Sequence, residues 1–220
     1  MGTRRDFLKK TALLMGGVPF AREFLTSVVD DVKPESRKVP VPPGTSRDSL
    51  VDKNPADLDA GKLEITPLEE FRTMGLDSHK VDPTAWRLSV SGRVRRPIEF
   101  TYEDLLALPP VERKVLLICP GIFVNQGLWR GFSVTSLLEK AGIGPDVIRV
   151  TFLGPSGPYA KVLRVPLAEV RSNKVFLAFG VNGHTLPVKH GFPLRLVAEG
   201  YYGYDWVKYV DRVTADGESD

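Results

Sequence analysis

The sequence predicts an α+β fold with mixed β-sheets and short helices. Three observations carry that expectation. Apolar residues make up 42% and charged residues 26% of 220 residues, a globular composition in a chain long enough to bury a sizeable core. Short alternating or continuously apolar runs recur between residues 86 and 215 and read as strands. Short segments with helix-start signals fall between them, without the regular spacing of βαβ units.

The elements follow in chain order. "TPLEEF" (66–71) offers Thr66 as N-cap, Pro67 at the first helical position and Glu69 at the capping-box position, predicting a short helix. "WRLSVSG" (86–92) alternates as a strand does. "TYEDLLAL" (101–108) repeats the capped-helix pattern with Thr101 and Asp104 and stops before Pro109-Pro110. "RKVLLIC" (113–119) is a strand with a buried end. "SVTSLLEKAG" (133–142) is a helix closed by Gly142. Strands are predicted at 147–154, 161–165, 175–181, 193–198 and 207–215. Asn182-Gly183 is a hairpin turn signal.

The ends of the chain are of another character. "TRRDFLKKTALLMGGVPFA" places paired Arg4 and Arg5 before a short apolar run, the pattern of a twin-arginine export signal over residues 1–29. A basic amphipathic helix is the plainer alternative. No clean A-x-A site follows, which leaves both cleavage and retention as an anchor open. Residues 30–62, charged and rich in Pro and Gly, read as an extended linker or solvated arm. The folded domain is expected over 63–220.

Composition excludes several functions. The formal charge of +3 is spread along the chain and does not argue for nucleic acid. One cysteine permits no internal disulfide and no zinc cluster of the usual spacing. His79, His184 and His190 lie too far apart for an HExxH metal helix. No apolar run is long enough to span a bilayer.

Cys119, at the end of "KVLLIC" and just before Pro120-Gly121, is the residue that needs explaining. A lone cysteine in an apolar run is by default a small buried hydrophobe. In an oxidising compartment an idle thiol is a liability, and this one stands at a strand end. A nucleophile would profit from the next N–H, but Pro120 has none and holds Cys119 extended. A metal ligand suits the soft thiolate, provided a cofactor brings the remaining donors, because Met1, Met15 and Met74 are poorly placed.

"ITPLEEFRTMGLDSHKVDPTAWRLSVSGRV", "TYEDLLALP", "LLICPGIFVNQGLWRGFSVTSLLEKAGI" and "HGFPLRLVAEGYYGYDWVKYVDRV" together resemble the molybdopterin-binding domain of the sulfite oxidase superfamily. The resemblance covers roughly residues 63–214 and is nearest the exported single-domain members, such as periplasmic protein-methionine-sulfoxide reductase catalytic subunits. It implies a sulfite-oxidase-type molybdopterin-binding fold and a molybdenum-molybdopterin cofactor. Cys119 then becomes the metal ligand and catalytic residue, the pterin supplying a dithiolene. Carried over by position, pterin contacts fall on Glu69, Arg72, Thr73, Gly154, His190, Arg195, Trp206, Val207 and Lys208. The chain departs from the reductase pattern at Glu69, His190, Arg72-Thr73 and Gly154, and Arg72 is then a candidate for binding an anionic substrate. Taken without the resemblance, Arg195 and Lys208 read as a solvated strand face, His190 as an exposed loop residue and Trp129 as core.

The implied function is oxygen-atom transfer on a small molecule or a protein side chain, such as reduction of protein methionine sulfoxide, or a sulfite-type dehydrogenation. A metal-free thiol enzyme using Cys119 and His190, and a non-catalytic binding module, are the rivals from other classes. The chain ends near its last predicted strand, without the haem and dimerisation domains of eukaryotic-type relatives. A monomer is therefore expected, exchanging electrons with a separate protein such as a membrane haem subunit, in the periplasm or at the outer face of the cytoplasmic membrane. The loop after Cys119, with Phe123 and Asn125, and "EGYYGYDW", with Tyr201 and Tyr204, are expected to shape the substrate mouth.

Overall fold

Two five-stranded sheets organise the chain, as seen in a computed structural model that describes residues 37–218. The candidate export signal lies outside the described residues. A short parallel pair opens the described part, β1 (Val39–Pro40) with β2 (Leu58–Asp59). Then come β3 (Arg87–Gly92), β4 (Ile98–Thr101), α1 (Tyr102–Leu106), β5 (Pro110–Cys119), β6 (Phe123–Phe132) and α2 (Val134–Ala141). They are followed by β7 (Arg149–Leu153), β8 (Val162–Pro166), α3 (Leu167–Arg171), β9 (Val175–Val181), β10 (His184–Thr185), β11 (Arg195–Ala198) and β12 (Arg212–Asp216).

One sheet runs β10-β9-β6-β5, with β11 also on β9, and every pair in it is antiparallel. The other runs β4-β3-β12-β7-β8 and is mixed, because β12 lies parallel to β3. The α+β expectation with short helices therefore holds. Buried apolar residues of both sheets, with α2, form one large cluster that includes Leu88, Val90, Phe132, Phe152, Phe176 and Val213.

Local chemistry explains the helices that were legible. Thr101 accepts from the Asp104 N–H and the Asp104 carboxylate accepts from the Thr101 N–H, a reciprocal capping box. In α2, Val134, Leu137, Leu138 and Ala141 follow the i, i+3, i+4, i+7 pattern and all are buried. Gly142 ends that helix in the left-handed region at φ 73°.

Other expectations change. At 66–71 there is only a 3-10 turn, Leu68–Glu70, preceded by Pro67. Thr66 does not cap it, because its hydroxyl accepts from the Gln126 N–H at 2.9 Å and its own N–H bonds the Gln126 carbonyl at 2.8 Å. Buried backbone of β6 needed those partners more than a short helix needed a cap. The predicted strand 207–215 is reduced to β12. Residues before it join β11 only through single bonds, Leu196 N–H to Val207 O and Val210 N–H to Leu194 O, both 2.9 Å. The predicted loop with Phe123 and Asn125 is instead the ten-residue strand β6, in which Phe123 is 3% and Asn125 1% exposed.

The arm also differs from a purely solvated linker. Val41, Leu50, Ala60 and Leu63 are buried and pack with Leu116, Ile118 and Val124 of the β5–β6 hairpin. A 3-10 turn at Arg47–Leu50 and another at Pro55–Asp57 shape it, the second capped by Asn54. Apolar residues spaced this widely give no helical or strand period, which is why the sequence pattern alone did not mark them.

Candidate active site

Cys119 closes β5 and pairs with Phe123 at the start of β6. Between them the chain turns through Pro120 and Gly121, with the Ile122 N–H returning to the Cys119 carbonyl at 3.0 Å. Proline supplies the fixed φ of the second turn position, and Gly121 supplies φ 69° at the third. The strand therefore stops at the thiol because its tightest turn begins there.

Strand alternation then sets what the hairpin presents. Leu117 and Cys119 point one way, together with Phe123 and Asn125 opposite, and all four line a cavity of about 300 Å³. Gly203 closes over the thiol. Its N–H donates to the Ile118 carbonyl at 2.7 Å, and a Cβ there would lie 2.7 Å from Cys119 Sγ. Only glycine permits that approach.

The cavity is positively charged. Arg72, Lys161, Arg195 and Lys208 line it, and among the described residues no carboxylate does. Arg195, on β11, is 6% exposed and its guanidinium lies over Trp129 at 5.6 Å and Trp206 at 5.4 Å. One of its N–H groups donates to the His190 carbonyl at 3.1 Å, while its buried Nε has no partner. Buried His190 packs edge-on against Phe71, ring centroids 5.7 Å apart, and its Nε2 is likewise without a partner. A buried polar atom left unpaired at a cavity wall marks a place for a ligand that can pair it.

Protonation follows from burial. The Cys119 thiol is pushed up, mainly by loss of water, with Arg195 and Lys208 pulling the other way. His190 is pushed down to about 4 by burial and then by Arg195, so it is neutral near pH 7. Burial also lowers Arg195, to about 10, and Lys208, to about 8, Arg195 adding to the latter. An uncharged thiol and a neutral, weakly basic imidazole lining the same cavity are poorly suited to nucleophilic catalysis. The same thiol over a cationic floor suits a metal carried by an anionic group, because coordination removes its proton.

A separate strip covers the cavity. Lys208 Nζ donates to the carbonyls of Met74 at 2.8 Å and Leu76 at 3.0 Å. The buried Asn125 amide holds Arg72 by its backbone, accepting from the N–H at 3.2 Å and donating to the carbonyl at 2.8 Å. The Arg72 guanidinium then lies over Phe123, 5.6 Å from the ring centre. His79 packs against Tyr159 and Tyr209, at 4.7 and 4.9 Å between ring centres.

Of the residues expected here, Cys119, Arg72, Thr73, His190, Arg195, Trp206 and Lys208 all line the cavity. Three do not. Glu69 is exposed on the 3-10 turn. Val207 is fully buried and presents its carbonyl to Leu196 rather than to the cavity. Gly154 anchors the base of the 155–160 loop, donating to the Lys161 carbonyl at 2.9 Å. Phe123 and Asn125 reach the cavity from a strand, not a loop. Tyr204 lines the mouth, whereas the Tyr201 hydroxyl turns away to Glu169 at 2.9 Å. His190 and Lys208 are also not the solvated residues their local sequence suggests. Leu117 and Lys161 join the cavity without being among the expected residues, and Gly203 was expected only as part of the "EGYYGYDW" segment at the mouth. Leu117 was recoverable, because it stands two residues before Cys119 on the same strand face. Lys161 and Gly203 carry no such signal.

Residues 75–220 match the family described as oxidoreductase molybdopterin binding domain. The chain belongs to that family. Its cofactor is molybdenum-molybdopterin, and the sulfite oxidase superfamily assignment holds. Among curated proteins, the chain is 30% identical to the protein-methionine-sulfoxide reductase catalytic subunit MsrP of Gluconobacter oxydans, over 70% of this chain and 58% of that protein. It is also 30% identical to a nitrate reductase of Hordeum vulgare, over 70% of this chain and 20% of that one. A solved structure of the sulfane dehydrogenase SoxCD from Paracoccus pantotrophus is similar with a TM-score of 0.59 and 26% identity, covering 65% of this chain and 41% of that one. The chain thus spans less than two thirds of each of these relatives. The molybdopterin binding domain begins within the covering strip, and residues 37–63 lie before the matched region.

Proposed function

We propose that this chain is the catalytic part of an exported molybdenum oxidoreductase that transfers an oxygen atom to or from a sulfur-containing substrate. One observation carries the reading: the lone thiol opens into a cavity that, among the described residues, has four cationic side chains and no carboxylate. Cys119 is the protein ligand to molybdenum. Arg195, Lys208 and His190 hold the pterin and its phosphate, Arg195 by charge and its free Nε–H, His190 as a neutral ring with an unpaired nitrogen. When bound, the cofactor supplies the two-electron oxygen-atom chemistry. The chain's own residues orient it, and the aromatic walls of Trp129 and Trp206 hold Arg195 out of water, where its charge is felt most.

Reduction of a sulfoxide, such as protein methionine sulfoxide, is the favoured direction, in line with the likeness to a methionine-sulfoxide reductase catalytic subunit. Electrons then come from a separate partner protein. The twin arginines Arg4-Arg5 support export by the twin-arginine route to the periplasmic side. A second reading, sulfite-type oxidation, is favoured by Arg72, whose exposed guanidinium at the mouth suits an oxyanion.

The test is metal and pterin content of protein made in a cofactor-competent host, for the wild type and Cys119→Ser. About one molybdenum per wild-type chain is expected. The serine variant should lose oxygen-transfer activity by about a thousandfold or more while remaining folded. A wild type without metal, or a fully active serine variant, would overturn the reading. Turnover with methionine sulfoxide against sulfite then fixes the direction.

A further inference from the structure

Alternate residues of β5 belong to two different clusters. Leu117 and Cys119 join the main core at the cavity, whereas Leu116 and Ile118 join Val41, Leu50, Ala60 and Leu63 of the arm. The arm thus covers the reverse face of the strand that carries the thiol.

It also holds the segment that closes over the thiol. Lys38 Nζ pairs with Glu199 at 2.6 Å, and Glu199 also binds Arg113 of β5 at 2.6 Å. Gly200 lies beside the arm, where a Cβ would be in ordinary van der Waals contact with Ala56 at 3.6 Å. Tyr202 packs on the same apolar cluster as Ile118. The buried Gln126 amide of β6 donates to the Ala60 carbonyl at 2.7 Å. The two segments gripped in this way also meet where Gly203 lies on Cys119 Sγ.

We propose that residues 37–63 form a clamp that sets the approach of Gly203 to Cys119, so the arm is a positioning part of the metal-ligand site. The proposal goes beyond the molybdopterin binding domain, whose match starts at residue 75. It rests on the ligand role of Cys119 only for the metal-bound measurement below.

The test uses the full chain carrying Leu50→Ala and Leu63→Ala together. In cofactor-free protein, backbone hydrogen exchange reports the arm, and the rate of Cys119 alkylation by iodoacetamide reports the thiol. In loaded protein, the sulfur-to-metal absorption band reports the ligand geometry. Faster exchange in 37–63 is expected together with alkylation accelerated by about tenfold and a shifted band. A loosened arm with unchanged alkylation and an unchanged band would overturn the clamp. Lys38→Met, at a partly exposed pair, carries the same measurements if the double variant fails to fold, with alkylation expected to rise about twofold. No change in that variant, with the arm loosened, would likewise overturn it. A wild type without metal would instead sink the ligand reading and leave the alkylation result standing.

Discussion

Two irregular segments flank the cysteine hairpin, and they are held by opposite means. The arm at 37–63 is anchored by apolar side chains, with Leu50 at 6% and Leu63 at 1% exposure. The covering strip at 72–79 leaves Met74 and Leu76 exposed, at 43% and 53%, and is tied down through its backbone by Lys208 and Asn125. Both stretches are polar and of low period in sequence. The difference teaches that one is part of the support behind Cys119, while the other is a cover held by polar contacts at the mouth. Apolar anchoring is costly to break, whereas polar ties to exposed backbone exchange with water at little net cost.

The effect closest to the thiol is expected where the arm's grip ends. Gly203→Ala pushes a methyl into Cys119 Sγ, overpacking that costs about 1–3 kcal/mol at the ligand and lowers molybdenum retention about tenfold or more. Metal analysis after gel filtration reads this. Retention equal to wild type would mean that the close approach has no role.

Next come the anchors themselves. Leu50→Ala is expected to destabilise the fold by about 2–5 kcal/mol, read by urea denaturation. Leu76→Ala in the strip should change stability by no more than about 0.5 kcal/mol. Equal effects at the two positions would erase the distinction between support and cover.

A smaller effect distinguishes the polar tie. Lys208 is lowered to about 8, first by burial and then by Arg195. Its charge is therefore full below that value and is lost as pH rises through it. Binding of a phosphate-bearing pterin to cofactor-free protein should weaken above about pH 8, by up to about tenfold per unit. No step is expected near 6.5, because His190, lowered to about 4, is already neutral there. The stability effect of Lys208 has the opposite sense. The unfolded chain keeps this proton to higher pH, so the cofactor-free fold gains stability between about 8 and the ordinary lysine value of 10.5. A titration of binding affinity against pH that is flat from 6 to about 9 would contradict the role given to Lys208.

Much of this site was legible. The thiol at a strand end and the Pro-Gly turn after it were readable, because each depends on residue type and near neighbours, whereas Arg195 and Lys208 were placed at the site only by the family resemblance. The capping box of Thr101 and Asp104 and the apolar stripe of α2 were readable for the same reason. The ten-residue strand after Cys119 was missed, because the glycines Gly127 and Gly131 and the polar Asn125 and Gln126 interrupt its pattern. They belong there for tertiary reasons. A Cβ on Gly131 would collide with the Leu177 carbonyl, and Asn125 and Gln126 are buried to serve the strip and the arm.

By itself the sequence determined the α+β character, the single thiol and the turn that ends its strand. These are local facts, set by side-chain type, by the fixed φ of proline and by the freedom of glycine. Only the tertiary structure decided that Val207 faces the core while Lys208 faces the cavity, that Tyr201 turns to Glu169, and that Gly203 rests on Cys119. It alone decided that the arm stands behind the strand that carries Cys119. Those outcomes depend on which distant segments meet, and period and propensity do not encode a meeting between residues tens of positions apart.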